Sequence, residues 1–190
     1  MLTDFREQAR ETSRIQLAEA VFTVFAERGF HAVTVDEAAR AVGISRASFF
    51  RHLGSKEDAV VLAIESSRPD YAAALRELPA DVRSPWHLVR CAFEPAIVAA
   101  EAEPQRQLAR IAVIHSEPNL RVRLSSSRMG MVARLADALD ERIHDPFGAH
   151  VYAAAGMAAY DVAWSEWAGN PEISPRTHVD AAFARLAAAR

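Results

Sequence analysis

Between Arg40 and Lys56 every formally charged side chain is a cation. Arg40, Arg46, Arg51 and Lys56 are joined there by His52, and no carboxylate interrupts them, although the whole chain carries a formal net charge of −3. Guanidinium and ammonium groups attract phosphates, and an arginine can also hold both acceptor atoms of a guanine edge. Charge gathered on one short segment of a slightly acidic chain is what a local polyanion-binding surface requires. The other reading of the same residues is an ordinary helical hairpin whose basic face is merely solvated.

The elements that would aim these groups are written into the flanking residues. Thr34 and Glu37 have the spacing of a capping box, so a short helix is expected to open at Val35. Gly43 permits a sharp turn, Ile44 plugs the angle behind it, and Ser45 caps a second helix beginning at Arg46. Stop, turn and restart at this spacing describe a helix-turn-helix whose second helix enters the major groove of double-stranded DNA. In that setting Arg46 and Ser48, on its first turn, face base edges, with a phosphate contact the competing role for Arg46. Thr34, Ser45, Arg51, His52 and Lys56 are expected to grip the backbone. Of the adjacent Phe49 and Phe50, one should face the core and the other the groove wall, near a thymine methyl. Lys56 at a helix start would add its ammonium to free backbone N–H groups as a joint anion site.

The ordered series Phe25-Ala26-Glu27-Arg28-Gly29-Phe30, Thr34-Val35, Gly43-Ile44-Ser45-Arg46-Ala47-Ser48, Arg51-His52 and Ser55-Lys56-Glu57-Asp58 resembles the TetR family of one-component transcriptional regulators. The resemblance runs from about Ser13 to Val60. It implies an all-α fold, with an N-terminal three-helix helix-turn-helix DNA-binding domain over 1–55 and a larger C-terminal helical domain over 56–190 that binds ligand and dimerises. Phe50 departs from the tyrosine usual in the family, so a phosphate hydrogen bond is missing. Gly54 stands where proline is frequent and is expected to loosen the turn.

The 190 residues, 51% of them hydrophobic, suffice for a sizeable core. No unbroken apolar run of about 18 residues is present to span a bilayer. The charged start, with Asp4, Arg6, Glu7, Arg10 and Glu11, lacks a secretory h-region. A cytoplasmic location without a membrane partner is expected. The lone Cys91 cannot form an intramolecular disulfide and reads as a small packed hydrophobe.

Strand signals are sparse, whereas helix starts recur as a capping or acidic residue followed by proline: Ser84-Pro85, Glu103-Pro104, Glu117-Pro118, Asp145-Pro146 and Ser174-Pro175. Proline suits the first helical position because its missing N–H would be unpaired there. With a first helix over about Ser13–Arg28, the count is about nine or ten helices. Pro69 should break the connector that starts at Lys56, acting as a hinge or an early stop, and Pro95 should kink the helix that starts at Pro85.

A kink leaves room, and Trp86, His87, Phe93, Ile111, His115, Met129, Met131 and Tyr160 are the candidates to line a pocket for a small, mostly apolar effector. Each is equally at home in a helical core. Arg121, Arg123 and Arg128 around Ser125, Ser126 and Ser127 suggest either an anionic head-group contact or a solvated face. The helix from Pro146 to Ala168 is apolar nearly all round, so it must be buried nearly all round. Its small-residue face, with Tyr152, Gly156, Ala159, Ala163 and Trp167, is assigned to a homodimer seam, the other reading being a wholly internal helix in a monomer. The last helix joins the seam through Phe183 and Leu186 on the stripe Val179, Ala182, Phe183, Leu186 and Ala189.

No catalytic residue, metal ligand or cofactor is assigned. His144, Asp145 and His150 lack helical ligand spacing because Pro146 and Gly148 lie between them. There is no Gly-rich phosphate loop and no nucleophile elbow. The expected function is a ligand-responsive repressor that binds a palindromic operator as a homodimer. Its rivals are a ligand-independent DNA-binding protein and a small helical enzyme.

Overall fold

The computed structural model describes residues 2–188, and every regular element among them is a helix. Of the stripe expected on the last helix, Ala189 lies outside the described residues. The eleven helices among the described residues fall into two compact units, one formed by residues up to Arg68 together with 112–124, the other by 69–111 and 125 onwards. The helix that follows the boundary expected at 55/56 packs on the first helix of the chain and clusters with it.

The first unit is built on α1 (Leu2–Arg28). This helix begins well before the expected Ser13, because the residues ahead of it include neither glycine nor proline. Ala18, Val21, Phe22 and Phe25 have the i, i+3, i+4, i+7 spacing of one helix face and are all buried. They meet Ala38 and Ala39 of α2 (Val35–Ala41), Phe49 and Leu53 of α3 (Arg46–Leu53), and Ala59, Val60, Ala63 and Ile64 of α4 (Lys56–Ser66). Val113, Leu120 and Leu124 complete this core.

The caps expected at Thr34 and Ser45 are formed, whereas Ser84 makes no side-chain cap hydrogen bond at the start of the helix at Pro85. Thr34 Oγ1 accepts from the Glu37 N–H at 3.3 Å while Glu37 Oε2 accepts from the Thr34 N–H at 2.8 Å. Ser55 and Asp58 repeat the arrangement at the start of α4, at 3.0 and 2.8 Å. Gly43 takes φ 75° in the turn between α2 and α3, a left-handed conformation that glycine adopts without a Cβ penalty. Gly54 also has φ 75° and closes α3 with its N–H on the Phe50 carbonyl at 3.1 Å. A proline, fixed near φ −65°, is incompatible with that turn, so Gly54 defines the turn rather than loosening it.

In the second unit α5 (Tyr71–Arg76) starts after Pro69, capped by Asp70, whose Oδ1 accepts from the Ala72 and Ala73 N–H groups at 3.0 and 3.1 Å. The kink expected at Pro95 is a full break. α6 (Pro85–Ala92) stops at Phe93 and α7 (Glu94–Ala102) restarts with Pro95 in its first turn. The proline has no N–H to continue the earlier ladder, and this break and the separate α5 take the helix count past the expected number. α8 (Pro104–Ser116), α9 (Pro118–Ile143), α10 (Pro146–Gly169) and α11 (Pro175–Ala188) follow.

Aromatic rings run through this second core. Phe93 stacks on Tyr160 at 4.4 Å and Tyr160 on Trp164 at 4.6 Å, while Tyr71 meets Phe93 edge-on at 4.8 Å. The largely covered Arg90 shares Glu94 with Arg176 and reaches Asp180, while on the surface Arg176 reaches Glu101 and Arg76 is bidentate on Glu141. Exposed ion pairs of this kind contribute little each; the apolar core carries the unit.

Four residues of the expected dimer seam are withdrawn from it. Gly156, Ala163 and Trp167 are buried inside the second unit, as is Phe183 of α11, and Tyr152, Ala159 and Leu186 are half-buried against the same core. At Gly156 both α6 and α11 crowd α10, since a Cβ there would collide with Cγ1 of Val89 and touch the Phe183 ring. The small residues thus serve close packing within one chain. The face left outside holds Phe147, Val151, Ala154, Ala158 and Val162, with Phe147 82% and Val162 60% exposed.

Candidate DNA-reading surface

Four of the eight residues of α3 are turned outward: Arg46, Ala47, Phe50 and Arg51, on the i, i+1, i+4, i+5 rows of one helical face, with His52 exposed at its edge. Phe49 and Leu53, on the opposite rows, are buried. Phe49 is fully covered and meets the Phe50 ring edge-on at 5.9 Å. It therefore holds α3 on the core and contacts nothing outside, while Phe50 is 45% exposed.

Serines and arginines on this face are tied together. Ser45 Oγ accepts from the Ser48 N–H at 3.1 Å and donates to Ser48 Oγ at 3.0 Å. Arg51 donates from Nη2 to Ser48 Oγ at 3.3 Å and lies as close to His52 Nε2. Arg46 extends to α2, where Nη1 donates to Asp36 Oδ2 at 2.9 Å, and its guanidinium stands 5.4 Å from the centre of the Phe50 ring. Thr34 stays exposed, its hydroxyl donating to Glu37 Oε2 at 2.8 Å. The Thr34 groups also hold the Glu37 carboxyl below the usual carboxylate range, chiefly through the backbone N–H.

Lys56 is not on this surface, contrary to expectation. Its ammonium turns inward and donates to the carbonyls of Phe30 at 2.5 Å and Val33 at 2.7 Å, with the rings of Phe30 and Phe25 at 4.4 and 5.2 Å. The carbonyls sit in the turn that follows α1, and the aromatic faces add cation–π attraction. Burial pulls the ammonium below the ordinary lysine pKa, while the Glu57 and Glu117 carboxylates pull it up. The N–H groups opening α4 are engaged by its capping box, so the proposed joint anion site is not assembled.

Residues outside the expected set complete the surface. Arg14 of α1 donates from Nε to the His52 carbonyl at 3.0 Å. Arg6, Arg10 and Arg14 line a groove with Ile44, Ser48 and His52. Their i, i+4 spacing was visible in the sequence, but the early start of α1 that brings them here was not. Asp36, one residue into α2, carries no comparable signal in the sequence.

The candidate effector residues are not brought together. Phe93 and Tyr160 are buried in one stack, and Trp86 is half-buried edge-on to Tyr152 at 4.6 Å. Ile111 belongs to a smaller cluster with Ala100 and Trp167. His87 is exposed, with Nε2 3.6 Å from Cys91 Sγ, and Met129 is 73% exposed. Leu135 and Leu139 set the inward face of α9; Met131 shares their phase, whereas Met129, two residues earlier, points about 200° away. His115 is exposed in the first unit. Two of the three candidate arginines of α9 are also occupied: Arg123 pairs with Asp58, and Arg128 with Asp161. Among the described residues, no three His, Cys, Asp or Glu side chains gather where they could hold a metal ion, and no helix is long and apolar enough to cross a membrane.

Residues 17–61 match the family model described as bacterial regulatory proteins, tetR family. The HTH-type transcriptional regulator TcmR of Streptomyces glaucescens is 32% identical over 75 residues, which are 40% of this chain and 33% of that protein. The match thus spans about a third of the relative's length. Over nearly the whole chain the fold is similar to solved structures. A transcriptional regulator from Rhodococcus sp. Rha1 superposes with a TM-score of 0.61 at 23% identity, over 90% of this chain and 91% of that one. NalD, described as the secondary repressor of the MexAB-OprM multidrug efflux pump in Pseudomonas aeruginosa, gives 0.64 at 16% identity, over 94% and 96%.

Proposed function

We propose, from the match of residues 17–61 to the model of tetR-family bacterial regulatory proteins, that the chain is a ligand-responsive transcriptional regulator of that family, a repressor that binds a palindromic operator as a homodimer. The observation that carries this reading is the outward face of α3. Arg46, Phe50 and Arg51 stand on one exposed strip of a short helix that is locked from behind by Phe49 and Leu53. A strip of this composition, set in the major groove, reads bases from Arg46 and Ser48 at the helix start and takes phosphates through Arg51 and His52. Thr34 and Ser45, at the starts of α2 and α3, lie nearest the DNA backbone.

One reading head makes too few contacts for tight, specific binding, so a second copy is required. The exposed apolar strip of α10, Phe147, Val151, Ala154, Ala158 and Val162, is the surface assigned to it. Such a strip is costly in water and suits an isologous helix pair. A two-fold dimer would place its recognition helices about 34–36 Å apart, one turn of DNA. The effector is taken to be small and mostly apolar, in keeping with the aromatic interior of the second unit. It would release the operator by favouring a conformation with a different spacing of the two heads.

Gel shifts of the full chain on fragments selected from the genome, at several salt concentrations, test this function. Binding to a palindrome with a steep salt dependence is expected, and Arg46→Ala should relax sequence preference. A monomer indifferent to every fragment in dilute buffer would overturn the reading.

A further inference from the structure

Among the described residues, Asp36 is the acidic side chain ion-paired to the α3 strip, and it holds the arginine best placed to read a base. Arg46 reaches it across the turn, with Nη1 on Asp36 Oδ2 at 2.9 Å and the guanidinium 5.4 Å from the Phe50 ring centre. Both charged groups are roughly half exposed, 63% for Arg46 and 48% for Asp36. The pair therefore adds little to folding. A carboxylate on a surface meant for phosphates also repels the ligand, so its contribution must lie elsewhere.

We propose that Asp36 is a specificity-determining residue, a buttress that fixes the Arg46 guanidinium for a guanine edge and withholds it from phosphates at other sequences. The inference rests on the reading of the α3 strip as a DNA-reading surface. A guanidinium has five N–H donors in a planar fork. Asp36 engages one through Nη1, and Phe50 restricts the plane from one side. The Nε and Nη2 donors remain as an edge able to meet the O6 and N7 acceptors of guanine together. At a base without that acceptor pair, Arg46 stays with Asp36, and the carboxylate stands unrewarded near the phosphates. The buttress thus favours the right sequence and penalises the wrong one, as specificity by negative selection requires.

Asp36→Asn keeps the shape and removes the charge. Binding to the operator should weaken by about fivefold, because Arg46 loses its fixed orientation, whereas binding to scrambled DNA should strengthen by about two- to threefold. The melting temperature should stay near that of the parent. Asp36→Glu, with its carboxylate one methylene further out, should recover part of the discrimination. In an Arg46→Ala background, Asp36→Asn should leave the operator-to-scrambled ratio unchanged, since a buttress without its arginine has nothing to hold. Equal factors on both DNAs, or the same loss of discrimination with and without Arg46, would overturn the proposal while the regulator reading stands. Failure of the unaltered protein to prefer any sequence would instead remove the reading beneath it.

Discussion

α3 and α10 each bury one face and expose the other, and their exposed faces are of opposite kinds. On α3 the outward strip carries Arg46 and Arg51 around a single ring, Phe50. On α10 it carries Phe147, Val151, Ala154, Ala158 and Val162 without one charge. A cationic strip is stable in water and is drawn to a polyanion; an apolar strip is stable only when covered. Their inward faces differ as well. Phe49 and Leu53 anchor a two-turn helix at two points, whereas α10 is held along its length by Ala149, Ala153, Gly156, Met157, Tyr160, Ala163 and Trp167. The short helix is a presentation element and the long one a core element with a spare face.

The largest effect should come from confusing the two faces of α10. Trp167 is 1% exposed, so Trp167→Ala should cost about 3–5 kcal/mol in denaturant unfolding. Phe147 is 82% exposed, and Phe147→Ser should change the stability of the isolated chain by no more than about 0.5 kcal/mol while weakening self-association. All three tryptophans, Trp86, Trp164 and Trp167, lie in the second unit, so intrinsic fluorescence follows that unit. Equal losses at the two positions would break the division between core face and free face.

A smaller loss is expected at Lys56. Lys56→Met keeps the stem but leaves the Phe30 and Val33 carbonyls without their ammonium, which should cost about 1–3 kcal/mol. The salt dependence of DNA binding should stay unchanged, because the group touches no phosphate. A slope reduced by about one unit with unaltered stability would return Lys56 to the DNA-reading strip.

These cases show where the sequence is legible. A capping pair such as Thr34 with Glu37 acts over three residues, so spacing alone is enough to place the start of α2, and Ser45 that of α3. The helix-turn-helix and its outward residues follow from those ends. Lys56 escapes because its side chain is long enough to turn toward water or toward the carbonyls at Phe30 and Val33, and only the fold decides. Gly156 and Ala163 escape for a related reason: small residues permit close approach, whether the neighbour is the same chain or a second copy. Val89 and Phe183, far from Gly156 in sequence, settle it. The pocket residues had the weakest signal, since apolar composition is common to cavities and cores.

The finest distinction concerns acid. Glu37 and Asp58 are held below their ordinary pKa values first by the backbone N–H groups of Thr34 and Ser55. Glu141 is held down first by Arg76; burial pushes Glu94 up, but hydrogen bonds from Arg90 and Arg176 more than offset it. A carboxyl whose pKa is lower folded than unfolded stabilises the fold above the unfolded value and loses that contribution as pH falls toward the folded one. Both units should therefore weaken below the ordinary carboxylate values, 4.5 for glutamate and 3.8 for aspartate. Salt separates them, because ion pairs at the surface are screened and cap hydrogen bonds are not. Thermal melts across about pH 6 to 3 should show the fluorescence transition of the second unit losing part of its acid sensitivity at about 1 M salt. Backbone amide exchange at α2 and α4 should keep its own. A matching response of the two units to salt would mean that the caps of the first are held by charge pairing rather than by their hydrogen-bond geometry.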